Sequence, residues 1–347
     1  MRTETEAVRV SASGAPRGSR AALRTVACAA IAALAFLAGV AGASPAVPAP
    51  PGTPATAQAD APAATPAAAE GPGRVLMSGA PFWNQRVVLD KDLERLGIKS
   101  GVVAVTTGSN QTIALKKDGS LVVWGNNFYQ QQAIPPAALG ATAIASGYAH
   151  LLALKNGGVI AWGSSLFGET TVPPEARSGV TAISARGYHN LALKSDGSVL
   201  SWGLRSDVPP EARSGVTAIS AGGDHNLALK GGGVIAWGGN KYGQSDVPPA
   251  ARSGVAAVAA GWGHSLALKA DGTVIAWGNN EDGQATVPAT VTGATAIAAG
   301  TVHSLALLPG GKVVGWGMAR ALTNTPSDAN SGVTAIAAGY LGSVMLK

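Results

Sequence analysis

Three short apolar runs recur along most of this chain, and residues 254–284 (GVAAVAAGWGHSLALKADGTVIAWGNNEDGQ) show them with least interruption. The first, Val255–Ala260, stops at Gly261. The second, His264–Lys269, is rich in leucine, and the third, Val274–Trp277, stops at Gly278. Runs this short, β-branched or leucine-rich and bounded by glycine or Asp-Gly, predict strands joined by tight turns. Asp271-Gly272 predicts a type I′ hairpin, whose two central residues need positive φ. A fourth segment, Ala285–Pro288, carries a proline that cannot donate to a sheet ladder, so it predicts a connector. Apolar residues occupy both sides of these strands, as they must if each sheet is covered on both faces. Stacked small sheets of this kind make a β-propeller.

The histidine that opens the second run sets the count. Its column reads Gln111, His150, His189, His225, His264, His303 and Gly342, at spacings of 39, 39, 36, 39, 39 and 39 residues. Trp-Gly ends the third run six times, at Trp124, Trp162, Trp202, Trp237, Trp277 and Trp316, and the chain stops at Lys347, just past the seventh second run. The missing strand is predicted at the other end. Arg74–Gly79 resembles Lys312–Gly317, with Ser78 in the tryptophan place. The reading is an all-β, seven-bladed β-propeller over residues 74–347, with three-stranded antiparallel blades and an N-terminal strand closing the last one. Such closure leaves no open sheet edge.

Strand parity then sorts the loops. With three strands per blade, the first turn and the loop after Trp-Gly share one end of the ring, and the Asp-Gly hairpins share the other. Of seventeen aromatics, Phe36 lies near the N-terminus and six are the Trp-Gly residues. The other ten all fall in a first turn or a post-Trp-Gly loop, hence on one end. Aromatics on rigidly held loops supply contact area at low entropic cost, which suits a binding face. Tyr148, Tyr188, Trp262 and Tyr340 vary from blade to blade and are expected to be exposed there. Phe128, Phe167 and Tyr242 share nearly one repeat position, and packing inward is an equal alternative for them. Trp83, Tyr129 and Tyr242 are further candidate partner-binding residues, with Phe82 beside Trp83. The opposite end carries Lys116, Lys155, Lys194, Lys230 and Lys269 with Arg177, Arg213 and Arg252; a solvating role is the plainer reading of it.

The Gly-x-x-His-Ser-x-Ala-Leu run followed by Trp-Gly resembles the regulator of chromosome condensation repeat, over residues 74–347. The Thr-Val-Pro-x-x-Ala-Arg-Ser-Gly-Val-x-Ala-Ile-Ala-Ala-Gly pattern is similar to the repeat of the secreted bacterial type II β-lactamase inhibitory proteins. That second resemblance implies three-stranded blades and a protein partner, a β-lactamase or penicillin-binding-type enzyme, held by a monomeric propeller. It also implies that the residue just before the histidine column carries binding aromatics. Here that column reads Asn110, Ala149, Tyr188, Asp224, Gly263, Val302 and Leu341, so only Tyr188 matches in kind. Asp224 joins the candidates by position. A glycan- or envelope-binding module without inhibitory activity is the alternative.

Composition changes the picture at the N-terminus. Arg17, Arg20 and Arg24 precede an apolar run from Ala29 to Val40, and Ala41-Gly42-Ala43 is a small-residue cleavage motif. Residues 1–43 therefore read as a secretory signal, with a retained anchor as the rival reading. Residues 44–73, dominated by Ala and Pro, bury too little apolar surface to offset ordering and read as a disordered spacer. The only cysteine, Cys28, sits inside the signal, so the exported chain has no thiol chemistry. The formal charge of +6 invites a nucleic-acid role, but five Arg and two Glu lie in residues 1–43 and leave +3 downstream. Residues 87–99, with Leu89, Leu93 and Leu96 at helical spacing, predict a short amphipathic helix in place of a connector, and the third connector, residues 204–210, is short. No His-Glu-x-x-His, Gly-x-Ser-x-Gly or phosphate-loop pattern occurs. The histidines, one per blade, are expected to be structural, and no catalytic residue, metal or cofactor is expected. Asn279–Asp282 has the oxygens for calcium, but other copies lack its acidic pair, so it reads as a solvated loop.

Overall fold

The computed structural model describes residues 73–79, 94–109, 111–204, 207–318 and 327–347. The expected signal, all of the expected spacer but Gly73, and Phe82, Trp83 and Asn110 lie outside them. So does most of the helix expected over residues 87–99. Of it, only Glu94 and Arg95 are described as helical; a turn follows, with Ile98 fully buried against blade 1.

Among the described residues, twenty-one strands form seven three-stranded antiparallel sheets. In chain order they are blade 1 (102–125), blade 2 (143–163), blade 3 (180–203), blade 4 (216–238), blade 5 (255–278), blade 6 (296–317) and blade 7 (335–346). Blade 7 takes its outer strand from Val75–Gly79, which pairs with Gly342–Leu346 in the register Val75↔Leu346 to Gly79↔Gly342. Ser78 faces Ser343, as Trp316 faces Ser304 one blade earlier. The expected closure is therefore present, in the expected register. The first strands of all seven blades contact one another in order and form the inner ring.

Both faces of each sheet are covered, as the unbroken apolar runs demand. Seven apolar clusters lie one at each blade junction, from Ile113, Leu115, Ile144 and Leu151 between blades 1 and 2 to Val75, Val344, Val102 and Trp124 between blades 7 and 1. The connectors are not strands. Four of them turn through a short 3-10 segment that starts at proline and buries one alanine completely: Ala138, Ala176, Ala212 and Ala251.

One local expectation is corrected. In blade 5 the Lys269 carbonyl accepts from the Gly272 N–H, so Ala270 and Asp271 are the turn's centre, and Gly272 (φ 84°) follows in the left-handed region. This is a type I turn with a bulge glycine, and Asp271 stabilises it by accepting from the Thr273 N–H at 2.9 Å. The two-residue I′ geometry occurs where the loop is one residue shorter, at Asn156-Gly157 (φ 50° and 73°) and Gly231-Gly232 (φ 55° and 75°). Loop length, rather than the Asp-Gly pair, selects the turn.

Candidate interaction face

The five histidines are fully or almost fully buried and tie each blade to the next. Their Nε2 atoms lie 2.7 Å from Asn190 and Asn226 Oδ1 and 2.9 Å from the hydroxyls of Ser265, Ser304 and Ser343. Ser265 and Ser304 already donate to the carbonyls of Gln244 and Gln284. The imidazoles of His225 and His264 must therefore donate through Nε2. Gln111 fills the first place in the column by donating to Ser146 Oγ and the Gly147 carbonyl. The glycine three residues earlier is required: a Cβ on Gly261 would fall 2.3 Å from the His264 ring. The structural reading of these residues stands, although the partner is mostly a side chain of the following blade.

The same contacts anchor the post-Trp-Gly loops. Trp162, Trp202, Trp277 and Trp316 donate through Nε1 to the carbonyls of Gln131, Glu169, Gln244 and Gln284 in the preceding loop. The side chains of these four residues turn back to accept the N–H of Tyr129, Phe167, Tyr242 and Asp282. A Gln or Glu at a fixed place after Trp-Gly is thus the device that fixes each loop. The column is visible in the sequence, but its role was not. Asn279 is likewise spent internally, accepting from the Glu281 N–H and Gln284 Nε2.

First turns and post-Trp-Gly loops do share one end. The N–H groups of Ser164, Leu204, Gly239 and Asn279 donate to the carbonyls of Ala149, Tyr188, Asp224 and Gly263. The exposure expected for the aromatics on that end, however, is reversed. Tyr148 and Tyr340 are buried, at 9% and 8% exposure, and Tyr188 and Trp262 are half-buried. Tyr148 packs with Tyr129, Tyr188 and Trp262, with the Tyr148 and Tyr188 rings 5.0 Å apart. Trp262 belongs to blade 5 and Tyr148 to blade 2, so this cluster closes over the axis. Burial, with Tyr148 alongside, pushes the hydroxyls of both Tyr188 and Tyr340 up to about 12. First turns sit nearest the axis, where large rings cover one another rather than face outward. Asp224 is half-buried beneath the next loop and accepts from Gln244 Nε2 at 3.2 Å; Tyr242 is half-buried near Gly263.

Of the three aromatics for which inward packing is an equal alternative, Phe128 and Phe167 face solvent and Tyr242 does not. Phe128 is 81% exposed and Phe167 48%, joined by Leu166 at 61% and Leu204 at 41%. Among the described residues, four of the five exposed large hydrophobics thus lie on three successive loops of one end, after blades 1, 2 and 3. Their backbone is fixed beneath them: the Phe128 N–H donates to Asn126 Oδ1 at 2.7 Å and the Phe167 N–H to Glu169 Oε2 at 2.7 Å. The loops after blades 4 and 5 present Lys241, Asp246, Glu281 and Asp282 instead. Two tyrosine- and phenylalanine-to-alanine changes separate these environments. Tyr148→Ala should lower stability by about 3 kcal/mol, in line with emptying a buried aromatic site. Phe128→Ala should change it by less than about 0.5 kcal/mol; urea denaturation of both variants checks this.

On the basic end, part of the charge is used within the protein. Lys155, Lys194 and Lys230 each donate to main-chain carbonyls of the connector beneath them, those of Leu139, Ser178 and Glu211. These three fasten the connectors. Among the described residues, no group of three or more His, Cys, Asp or Glu converges in a way that could hold a metal ion, and no helix is long and apolar enough to cross a membrane.

This geometry defines a class: a seven-bladed propeller of three-stranded antiparallel blades, with an N-terminal strand closing the last blade. The sequence agrees, for residues 102–131, 216–244 and 255–284 match the model of the regulator of chromosome condensation (RCC1) repeat. Among solved structures, the chain is similar to Prp20p of Saccharomyces cerevisiae, with a TM-score of 0.62, 18% identity and coverage of 80% of this chain and 92% of that one. It is also similar to human WBSCR16 (TM-score 0.58, 18% identity, 79% and 98% covered). A third likeness is to the ectodomain of the Arabidopsis thaliana receptor kinase ACR4 (TM-score 0.51, 26% identity, 63% and 81% covered). No curated protein sequence matches the chain.

Proposed function

We propose that this chain is a non-catalytic, protein-binding propeller, monomeric and exported, that takes its partner on the arc formed by Phe128, Leu166, Phe167 and Leu204. The observation that carries this is the concentration of exposed apolar side chains on three adjacent, hydrogen-bonded loops of one end. Monomeric proteins keep such patches for contacts. Two of the four residues are leucines, which offer apolar area without the flat face that stacks on sugar rings, so a protein partner suits the arc better than a glycan. Prp20p was studied for binding to Gsp1p and histones, and ACR4 presents its propeller as a receptor ectodomain; use of this fold for protein contacts is consistent with that company. The apolar run of residues 29–40, preceded by Arg17, Arg20 and Arg24, supports the export in this reading.

A β-lactamase or penicillin-binding-type enzyme is the finer reading drawn from the inhibitor resemblance. Burial of Tyr148 and Tyr340 removes two of the side chains that would have supported it. The test immobilises the propeller, applies envelope extract, and scores what is retained as protein or polysaccharide, with purified β-lactamases and penicillin-binding enzymes assayed in parallel. Retention of protein supports the proposal, and inhibition of an enzyme would extend it to the finer reading. Retention of polysaccharide that survives protease treatment of the extract would replace it with the envelope-binding alternative.

A further inference from the structure

One residue breaks the glycine column ahead of the histidines: Arg186, where the other copies have Gly108, Gly147, Gly222, Gly261, Gly300 and Gly339. It ends the first strand of blade 3 and is fully buried. Its Nη1 group donates to the carbonyl of Ala260 in blade 5 at 2.8 Å and to that of Ala299 in blade 6 at 2.7 Å. A side chain from blade 3 that reaches blades 5 and 6 crosses the axis, so the guanidinium lies in the central channel beneath the Tyr148, Tyr188 and Trp262 cover.

The way its donors are used is informative. Both carbonyls are taken by Nη1, while Nε and Nη2 are buried without a hydrogen-bond partner among the described residues. Those two nitrogens share one edge of the guanidinium plane, and their parallel N–H bonds match the two oxygens of a carboxylate. Among the described residues no carboxylate meets this edge. A buried cation without a counter-charge is costly, and an anion on the open edge relieves that cost. The surroundings are electropositive but otherwise neutral, since the field of Arg186 adds to burial in holding the His225, His264 and His303 rings uncharged. We infer that the central channel is an anion site in which the Nε/Nη2 edge of Arg186 grips a small carboxylate of formate or acetate size. The aromatic cover sets the size limit.

The test titrates sodium formate and sodium acetate into the full chain at constant ionic strength, with gluconate as the balancing salt. Gluconate carries the same carboxylate on a body too large for the covered channel. Formate and acetate should raise Tm saturably by about 2–5 °C, the range expected when a ligand well above its Kd binds only the folded state. Arg186→Lys keeps the charge but loses the fork, and should abolish the rise. A second readout needs no variant: in arginine labelled with 15N, one Nε–H resonance should shift saturably with formate and not with gluconate. An equal Tm rise in Arg186→Lys, or no saturable shift of any arginine Nε–H resonance in the wild type, overturns the inference.

Discussion

Removal of residues 73–79 should abolish cooperative folding, or lower Tm by more than about 10 °C, although it deletes only seven residues. Without them blade 7 keeps two strands, and the edge of Gly342–Leu346 is left open to solvent and to other chains. A two-stranded sheet is marginal in water, and an open apolar edge promotes aggregation. Val75 and Leu76 are 1% and 5% exposed; burying two such side chains is worth about 3–6 kcal/mol, a large share of the 5–15 kcal/mol typical of a domain. The termini are also tied directly, as the Arg74 N–H donates to the Lys347 carbonyl at 2.6 Å and the Lys347 N–H to the Arg74 carbonyl at 2.8 Å. Leu76→Ala alone should cost about 2–4 kcal/mol. Thermal melts followed by tryptophan fluorescence check both. A deletion variant that melts as the intact chain does would show that the ring is held closed by something other than this strand.

The second large effect is acid instability. Burial lowers the proton affinity of the histidine column: His150 is brought down to about 4, His225 and His303 to about 3, and His264 well below its usual value. Each ring stays neutral in the folded protein at a pH where the unfolded chain, near 6.5, takes up a proton. The stability they contribute is therefore full above about pH 6.5 and is lost as pH falls toward the folded values. Each histidine adds about 1.4 kcal/mol per pH unit to the slope below pH 6.5, so His150, His225 and His303 together lose on the order of 10 kcal/mol by pH 4. Urea midpoints measured from pH 7.5 to 4 should fall steeply below about 6. His264→Gln copies the natural Gln111 solution and should flatten the slope by about one proton. A pH-independent midpoint down to pH 4.5 would mean that the rings are charged in the folded state and are not the blade ties described above.

What the sequence made legible was whatever repeats. Seven copies at spacings of 39 residues, once 36, the proline in most connectors and the Ser78 strand each constrain a local geometry that recurs, so blade number, strand count and closure followed from spacing. What depends on distance across the ring did not follow. Tyr148 and Trp262 stand in equivalent first turns over a hundred residues apart, and nothing local says that they meet over the axis. Phe128 and Phe167 lie at nearly one repeat position, which made inward packing plausible; the Asn126 and Glu169 side chains instead hold their N–H groups, and both rings face out. Arg186 was visible as a departure from glycine, but its reach to Ala260 and Ala299 is again a cross-ring property. The hairpins erred for a smaller reason, the one-residue difference in loop length between Asp271-Gly272 and Asn156-Gly157.

The most direct measurement of the central claim, that one end of the ring docks a protein through its apolar arc, compares three immobilised proteins against the same envelope extract. They are the wild type, a Phe128→Ala, Phe167→Ala variant, and a variant of the opposite end with Lys116→Ala and Lys269→Ala. Two aromatic hot spots together are worth about 3 kcal/mol or more, so the first variant should retain its protein partner about 100-fold less well. The second should retain it as the wild type does. Equal retention by the aromatic variant, or loss confined to the lysine variant, would contradict the assignment of the binding face.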